Sequence, residues 1–155
     1  MRNGLENLVG SHDIHMLCQG PRTWNAWREA NPGVVADLND LHLPVSQRQF
    51  GQVQGGPIIL GRAELCRAAL EHATLIDANL AGALLIEADL SDARMEGADL
   101  RGADLSNANF DNADLKGARL EDAILRGARL RDARNLMQAQ IDRAQGDEST
   151  TLPPK

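Results

Sequence analysis

Ala98-Asp99-Leu100-Arg101-Gly102 is one unit of a five-residue pattern that runs through the second half of this 155-residue chain. Fifteen alanines stand one every fifth residue from Ala63 to Ala133. A large apolar residue follows two positions after each alanine except the last, where Asn135 stands; these are Leu65, Leu70, Leu75, Leu80, Leu85, Leu90, Met95, Leu100, Leu105, Phe110, Leu115, Leu120, Leu125 and Leu130. Period five matches neither a 3.6-residue helix nor a two-residue strand, and it favours a square coil with these side chains inside.

The charged residues predict how many sides the coil has. Residues twenty apart lie on one wall, about 4.8 Å apart, if four units make one turn. Every charged pair at that separation within the repeats is of opposite sign: Arg67/Glu87, Arg94/Asp114, Glu96/Lys116, Asp99/Arg119, Arg101/Glu121, Asp111/Arg131 and Asp114/Arg134. At a separation of fifteen, like charges such as Asp89 and Asp104 would be stacked, which is unfavourable between neighbouring strands. The pattern therefore predicts four sides.

The corners of the square have their own residue preference. The residue two after each large apolar side chain is Gly, Asn or Asp in eleven of fourteen units, and the exceptions are Arg67, His72 and Glu87. These residue types tolerate the positive φ that the third position of a type II turn requires. We therefore expect a turn after each side.

The units Ala78-Asn79-Leu80, Ala88-Asp89-Leu90 and Ala98-Asp99-Leu100 resemble those of the pentapeptide repeat family. The resemblance covers about half of the chain, and tandem copies make it specific. It implies an all-β solenoid, a right-handed quadrilateral β-helix of about four coils, with short helical N-terminal and C-terminal caps. In the quinolone-resistance branch of this family, the solenoid imitates a DNA duplex and binds a type II topoisomerase.

The chain divides into four segments. Residues 1–35 are predicted to form a helical N-terminal cap, and residues 36–60 to contain two degenerate repeats and an irregular loop at 44–57. Residues 61–135 form the β-helix. Residues 136–155 provide a C-terminal capping helix, spanning 135–144, and a flexible tail.

The N-terminal segment contains two predicted helices. The first covers residues 1–20, where His12, His15 and Cys18 could be metal ligands or residues of a partly exposed helix. Since no fourth ligand is evident, we expect no metal site. The second covers Thr23 to Ala30 and carries Trp24 and Trp27. These tryptophans are interpreted as a cap over the open lower coil, with a docking site as the alternative.

Composition restricts the class of protein. The net charge is −6 and aromatic residues make up 3% of the chain, so we expect no direct nucleic-acid binding and no membrane binding. No signal-peptide core and no spanning segment is found, so we expect a cytoplasmic protein with Cys18 and Cys66 as reduced thiols. No catalytic constellation and no cofactor motif is present, and the protein is predicted not to be an enzyme.

Three outward positions are apolar where the pattern is polar. Leu84, Ile86 and Ile124 are predicted to share one side of the square, and with the acids Asp89 and Asp104 they form a candidate interaction surface. Ile76 is a further apolar outlier. The occupant of this surface could be the chain's own N-terminal helix, a second copy or a different protein.

Two kinds of function are consistent with these observations. The first is a rigid scaffold whose flat charged faces bind a protein partner; the second is a DNA mimic that inhibits or protects DNA gyrase. From Glu71 to Asp114 there are ten acids against two bases, and from Lys116 to Arg134 three acids against six bases. Because a duplex mimic should be negative throughout, this polarity favours the scaffold. We expect a monomer or a homodimer paired through its C-terminal region.

Overall fold

The computed structural model describes residues 21–31 and 65–154. It contains two helices, α1 (Pro21–Ala30) and α2 (Gln138–Ile141). Between them the repeats wind as a solenoid whose turns are joined by parallel pairing of single residues. Among the described residues, these pairs are isolated β-bridges, because each five-residue side gives only one residue to the ladder before the backbone turns.

The winding is four-sided. Ten bridges join residues that are twenty apart, among them Asp99 with Arg119 and Asp104 with Ile124. The Arg119 N–H donates to the Ala98 carbonyl, and the Leu100 N–H donates to the Arg119 carbonyl, both at 2.9 Å. The prediction that residues twenty apart are vertical neighbours is therefore confirmed.

The core is a column of alternating small and large side chains. All fourteen large apolar residues of the repeats are at most 2% exposed, and the alanines at every fifth position from Ala68 to Ala128 are at most 3% exposed. Alanine is required because four sides converge on one axis, and a larger side chain at its positions would fill space that the opposite side occupies. The walls outside this core carry the polar residues.

The corners are turns with positive φ. Each of the thirteen predicted corner residues from Arg67 to Gly127 has a φ between 54° and 70°, including the less favourable Arg67, His72 and Glu87. An N–H···O=C bond closes each turn, as from Ala68 to Leu65 at 3.1 Å.

The last predicted corner forms its turn, closed by the bond from the Ala133 N–H to the Leu130 carbonyl at 3.1 Å, but the positive φ predicted there is wrong. Asp132 is not among the described residues with positive φ; that conformation moves to Asn135, at 57°. The Asn112 N–H consequently donates to the Asp132 carbonyl, one residue beyond the acceptor that the repeat pattern would supply. The shift occurs where Asn135 replaces the inward leucine and the chain leaves the coil.

The polar residue after each alanine satisfies a backbone donor. In the described units from Leu75 onward, the residue directly after the inward apolar residue has an N–H that donates to no backbone carbonyl of the coil. Where the unit carries Asp or Asn, its side-chain oxygen accepts that N–H, as Asp104 does from Ser106 at 3.0 Å and Asn109 from Asp111 at 3.1 Å. The preference for Asp or Asn thus follows from backbone hydrogen bonding as well as from solubility.

Helix α1 begins two residues before its predicted start and ends where predicted. Its Trp24 is fully buried and belongs to the same cluster of buried side chains as Leu65, and Trp27 is partly buried against that cluster. The two indole rings lie 5.2 Å apart between centroids. Asn31 closes the helix by donating its side-chain amide to the Trp27 carbonyl, at 2.9 Å.

The C-terminal segment differs from its prediction. Helix α2 spans only Gln138–Ile141, and the segment predicted as a tail contains residues that pair with the repeats. Gln145 pairs with Ile124 and Thr151 with Arg129, so the chain adds a partial turn above the repeats. The reason is that the top coil would otherwise leave its carbonyls unpaired. Gln140 donates to the Leu115 and Ala118 carbonyls, at 3.0 and 2.8 Å, and the Thr150 hydroxyl donates to that of Leu125, at 2.8 Å.

Several predictions lie outside the described residues. These are the helix over residues 1–20 with His12, His15 and Cys18, the degenerate repeats and loop at 36–60, and the pairing of Cys18.

Candidate interaction surface

One wall of the solenoid carries the predicted apolar residues. We call it the apolar wall and define it by two columns: Leu84, Asp104 and Ile124 in the first, and Ile86, Ser106 and Arg126 in the second. The bridges from Leu84 to Asp104 and from Asp104 to Ile124 place the first column on one side. The second column follows from the bonds that the Glu87 and Asn107 N–H groups donate to the carbonyls of Ser106 and Arg126, both at 2.8 Å.

The apolar side chains of this wall are accessible. Leu84 is 39% exposed, and Ile86 and Ile124 are half-buried. The inward Leu85 between them is fully buried, so the outward leucine and isoleucines are additional to the core. That they bind a partner remains a prediction.

Of the two acids predicted for this surface, only Asp104 lies on the wall. Its Oδ1 accepts from the Ser106 N–H at 3.0 Å and from the Ser106 hydroxyl at 2.6 Å. Asp89 lies around the corner made by Glu87, in a column with Asn109, whose amide donates to it at 3.1 Å. Asp89 belongs to the next wall because five residues, one full side, separate it from Leu84.

Sequence reasoning missed the donors of the apolar wall. Since Leu84 and Ile124 replace the usual Asp or Asn, the N–H groups of Ile86 and Arg126 have no acceptor among the described residues. The exposed Arg126 guanidinium has no ion pair there either. The sequence contains the signal, namely units that lack the Asx acceptor, but its meaning depends on knowing which N–H the coil leaves unbonded.

On the other walls, charges are paired less regularly than the sequence predicts. Two of the seven vertical pairs form ion pairs: Arg67 with Glu87 at 3.2 Å and Asp99 with Arg119 at 3.8 Å. Other cations choose a neighbour on their own side or a diagonal one; Arg101 contacts Asp99 at 2.6 Å, and Arg129 contacts Asp111. A long side chain can contact a residue two positions along its own side of the square as easily as the residue one coil below.

Several carboxylates have pKa values below their ordinary range. Hydrogen bonding from Arg101, and then its charge and that of Arg119, lower the pKa of Asp99 against the opposing effect of burial. The Ser149 hydroxyl and nearby N–H groups lower the pKa of Asp147. These groups are stabilised as anions by the fold.

An open groove of about 880 Å³ lies on another wall, beside Ile76, Glu96, Lys116 and Met137. Met137 is 66% exposed. The Oε2 atom of the Glu96 carboxylate is shielded from solvent and has no hydrogen-bond partner among the residues described. The apolar outlier Ile76 therefore faces a different surface from Leu84.

Other kinds of site find no support in residues 21–31 and 65–154. No cluster of three or more His, Cys, Asp or Glu side chains there could hold a metal ion. Neither helix in those ranges is long and apolar enough to cross a bilayer.

Comparison with known proteins identifies the family. The profile described as "Pentapeptide repeats" matches residues 63–102 and 93–132, with eight copies. The chain is 30% identical to Rfr23, a pentapeptide repeat protein of the cyanobacterium Cyanothece 51142, over 84% of this chain and 99% of that one, with a TM-score of 0.64. The chain belongs to the pentapeptide repeat family. Its four-sided winding is thus the right-handed β-helix of that family.

Two other solved pentapeptide repeat structures are similar to the chain at lower TM-scores. The protein alr5209 of Nostoc Pcc 7120 is 32% identical over 64% of this chain and 77% of that one, with a TM-score of 0.38. QnrB1, a plasmid-mediated fluoroquinolone resistance protein, is 18% identical over 58% and 49%, with a TM-score of 0.43. No curated protein matches the sequence significantly.

Proposed function

We propose that this pentapeptide repeat protein is a non-enzymatic scaffold whose walls bind a protein partner. The observation that supports this most directly is the apolar wall, where Leu84, Ile86 and Ile124 stand accessible on an otherwise charged solenoid. Accessible apolar groups set among polar residues are typical of protein interaction sites. Backbone pairing at every coil holds them at fixed spacing, so little conformational entropy is lost when a partner binds.

The test is capture of partners from the native host. Wild-type protein should retain a host protein that the L84S/I86S variant does not retain. The I76S variant is the matched control, because Ile76 is apolar and outward but lies on another wall. Equal retention by all three proteins would contradict a role for the apolar wall.

The second candidate is mimicry of a DNA duplex toward a type II topoisomerase. The ten acids between Glu71 and Asp114 favour it, since two bases among them leave the lower coils strongly negative. The six bases from Lys116 to Arg134 oppose it, because a duplex is negative along its whole length. We rank it below the scaffold; strong inhibition of gyrase supercoiling by purified protein would reverse that order.

We also propose that the ends of the coil are capped and that assembly stops at a monomer or a C-terminally paired dimer. Trp24, fully buried in the core cluster, supports the lower cap, and the bonds of Gln140 and Thr150 support the upper one. Met137 and Leu152, 66% and 43% exposed near the upper end, are the residues that a dimer would cover. Light scattering that shows filaments growing with concentration would contradict the caps.

A further inference from the structure

The apolar wall is rich in hydrogen-bond donors as well as in apolar groups. The sides at Leu84 and Ile124, like those at Arg94 and Arg129, lack the Asp or Asn that accepts the outward N–H in units such as those of Asp99 and Asp104. The N–H groups of Ile86 and Arg126 therefore remain without an acceptor in the described part of the chain, two coils or about 10 Å apart. Arg126 adds an exposed guanidinium to the upper one.

Three acids near these donors already have partners: Asp104 and Asp147 accept hydrogen bonds through Oδ1, and Glu87 is in an ion pair. Asp104, in the middle of the wall, accepts both the N–H and the hydroxyl of Ser106. At the lower corner, Glu87 is paired with Arg67 at 3.2 Å. Beside Arg126, the Asp147 carboxylate accepts from Gly127, Ser149 and Thr150, and it lies beyond ion-pair distance of the guanidinium. Within the described ranges, Asp122 is a further anion near the wall, an exposed corner residue on the side of Ile124 away from Arg126.

We propose that the apolar wall binds a short amphipathic segment of another protein that carries aliphatic side chains and at least one carboxylate. This inference rests on the proposed scaffold function and names the chemistry of its partner. Aliphatic groups would pack on Leu84, Ile86 and Ile124. The carboxylate would accept from Arg126 at the upper end, away from Asp122. Among the described residues of the wall, a basic segment would meet one carboxylate, Asp104, whose Oδ1 already accepts two hydrogen bonds from Ser106.

The size of the wall favours a peptide over a second copy. It spans three coils, about 10 Å between the outer rungs, and is one five-residue side wide. A stable protein–protein interface buries about 800 Å² on each partner, more than three short rungs supply. In a dimer formed about a twofold axis through the middle of this wall, Asp104 of one copy would face Asp104 of the other. This contact between like charges is unfavourable.

The test is selection of peptides from a displayed library of random twelve-residue sequences. Full-length protein is the target, and peptides that also bind the L84S/I86S variant are removed. We expect the remaining peptides to combine Leu, Ile or Val with Asp or Glu. Their affinity should fall at least tenfold in L84S/I86S and about three- to tenfold in R126Q, and it should be unchanged in I76S.

Three results would overturn the proposal. Wall-dependent peptides enriched in Lys or Arg would contradict the charge argument. Absence of any wall-dependent peptide would show that the chain's own residues occupy the wall or that it binds no peptide. A dimer seen by light scattering in the wild type and lost in L84S/I86S would make a second copy the occupant. If no wall-dependent peptide is found but the removal step yields peptides that bind wild type and L84S/I86S equally, the scaffold function stands on another face.

Discussion

The carboxylate of Asp77 lies over the α-carbon of Gly97, in the space that a β-carbon at that corner would occupy. The same relationship recurs at the opposite corner of the square, where the amide oxygen of Asn107 lies over Gly127. At these two corners, the side chain from the coil below favours glycine in addition to the positive φ.

The first prediction separates these two requirements. Gly97→Ala and Gly102→Ala both place a side chain at positive φ, at 70° and 62°, but only the first meets a neighbour, since nothing lies within 4 Å of the second. Each should lose about 1–2 kcal/mol for the left-handed backbone. Gly97→Ala should lose about 1 kcal/mol more, because Asp77 must leave its rotamer.

Urea unfolding of the two variants measures this difference. Relative to the D77A variant, the double variant D77A/G97A should lose only as much stability as Gly102→Ala loses relative to wild type. Equal losses in the two single variants would show that the Asp77 side chain moves aside without cost.

The second prediction concerns the width of the core. Ala103 is fully buried, so Ala103→Leu should overpack the axis and destabilise the fold by about 1–3 kcal/mol or more. Ala81→Leu is the control, because Ala81 stands at an outward position and is half-buried. Thermal unfolding should lower the midpoint of the first variant only; a similar loss in both would indicate that overall bulk, and not the inward position, matters.

The third prediction concerns the Asx acceptors. Asp104→Ala removes the acceptor of the Ser106 N–H and hydroxyl and should cost about 1 kcal/mol. Asp104→Asn keeps the side-chain oxygen, as Asn109 does for Asp111, and should be close to wild type in stability. If the two variants lose equal stability in urea, the charge of Asp104 and not its hydrogen bonding is what stabilises the coil.

The fourth prediction is loss of stability in acid. The Asp99 pKa is held below its ordinary value of 3.8 by hydrogen bonds and charge from Arg101 and by the charge of Arg119. A carboxylate with a lowered folded-state pKa stabilises the protein above its unfolded pKa, and this contribution is lost as pH falls through the folded pKa. The unfolding midpoint should therefore drop as pH decreases below about 4.

Asp99→Asn tests the origin of that acid sensitivity. It keeps an acceptor for the Arg101 N–H but cannot change charge, so the difference in stability between pH 6 and pH 3 should be smaller than in wild type. An unchanged difference would assign the acid sensitivity to other carboxylates, such as Asp147.

The fifth prediction concerns the upper cap. Gln140 donates to two carbonyls of the top coil and accepts from the Met137 N–H at 2.8 Å, whereas Gln138 bonds only to the Asp142 side chain. Gln140→Ala should cost about 1–3 kcal/mol and increase amide exchange in the top coil, and Gln138→Ala should cost less than about 0.5 kcal/mol. Equal exchange rates in both variants would contradict a capping role for Gln140.

The sequence predicts the coil itself well because each unit repeats the same physical requirement. The positions of Ala103, Leu105 and Asp99 depend on a period that fifteen units state independently, and the charge pairs select four sides. The prediction fails where the repetition ends. Asp132 is not a left-handed corner, since the residues after it do not form another unit, and the path of residues 142–154 depends on carbonyls that only the folded top coil presents.

The same regularity explains which residues of the candidate surface could be predicted. Leu84, Ile86 and Ile124 stand out because they interrupt a regular polar pattern, and the period assigns them to one wall. Asp89 was grouped with this surface but lies on the next wall, because a corner of the coil separates it from Leu84 and Ile86. The unaccepted N–H of Arg126 could not be predicted in this way, because which backbone N–H groups the coil leaves without an acceptor is a property of the three-dimensional ladder.

The pairing of residues twenty apart also limits how this chain can change its length. Loss or gain of a single five-residue unit would rotate everything above it by a quarter revolution about the axis, so that removal of 106–110 would stack Ile124 over Asp99 in place of Asp104. Every face above the change would then display another face's residues. Only insertions and deletions in steps of four units alter the height of the rod while leaving each recognition face as it was.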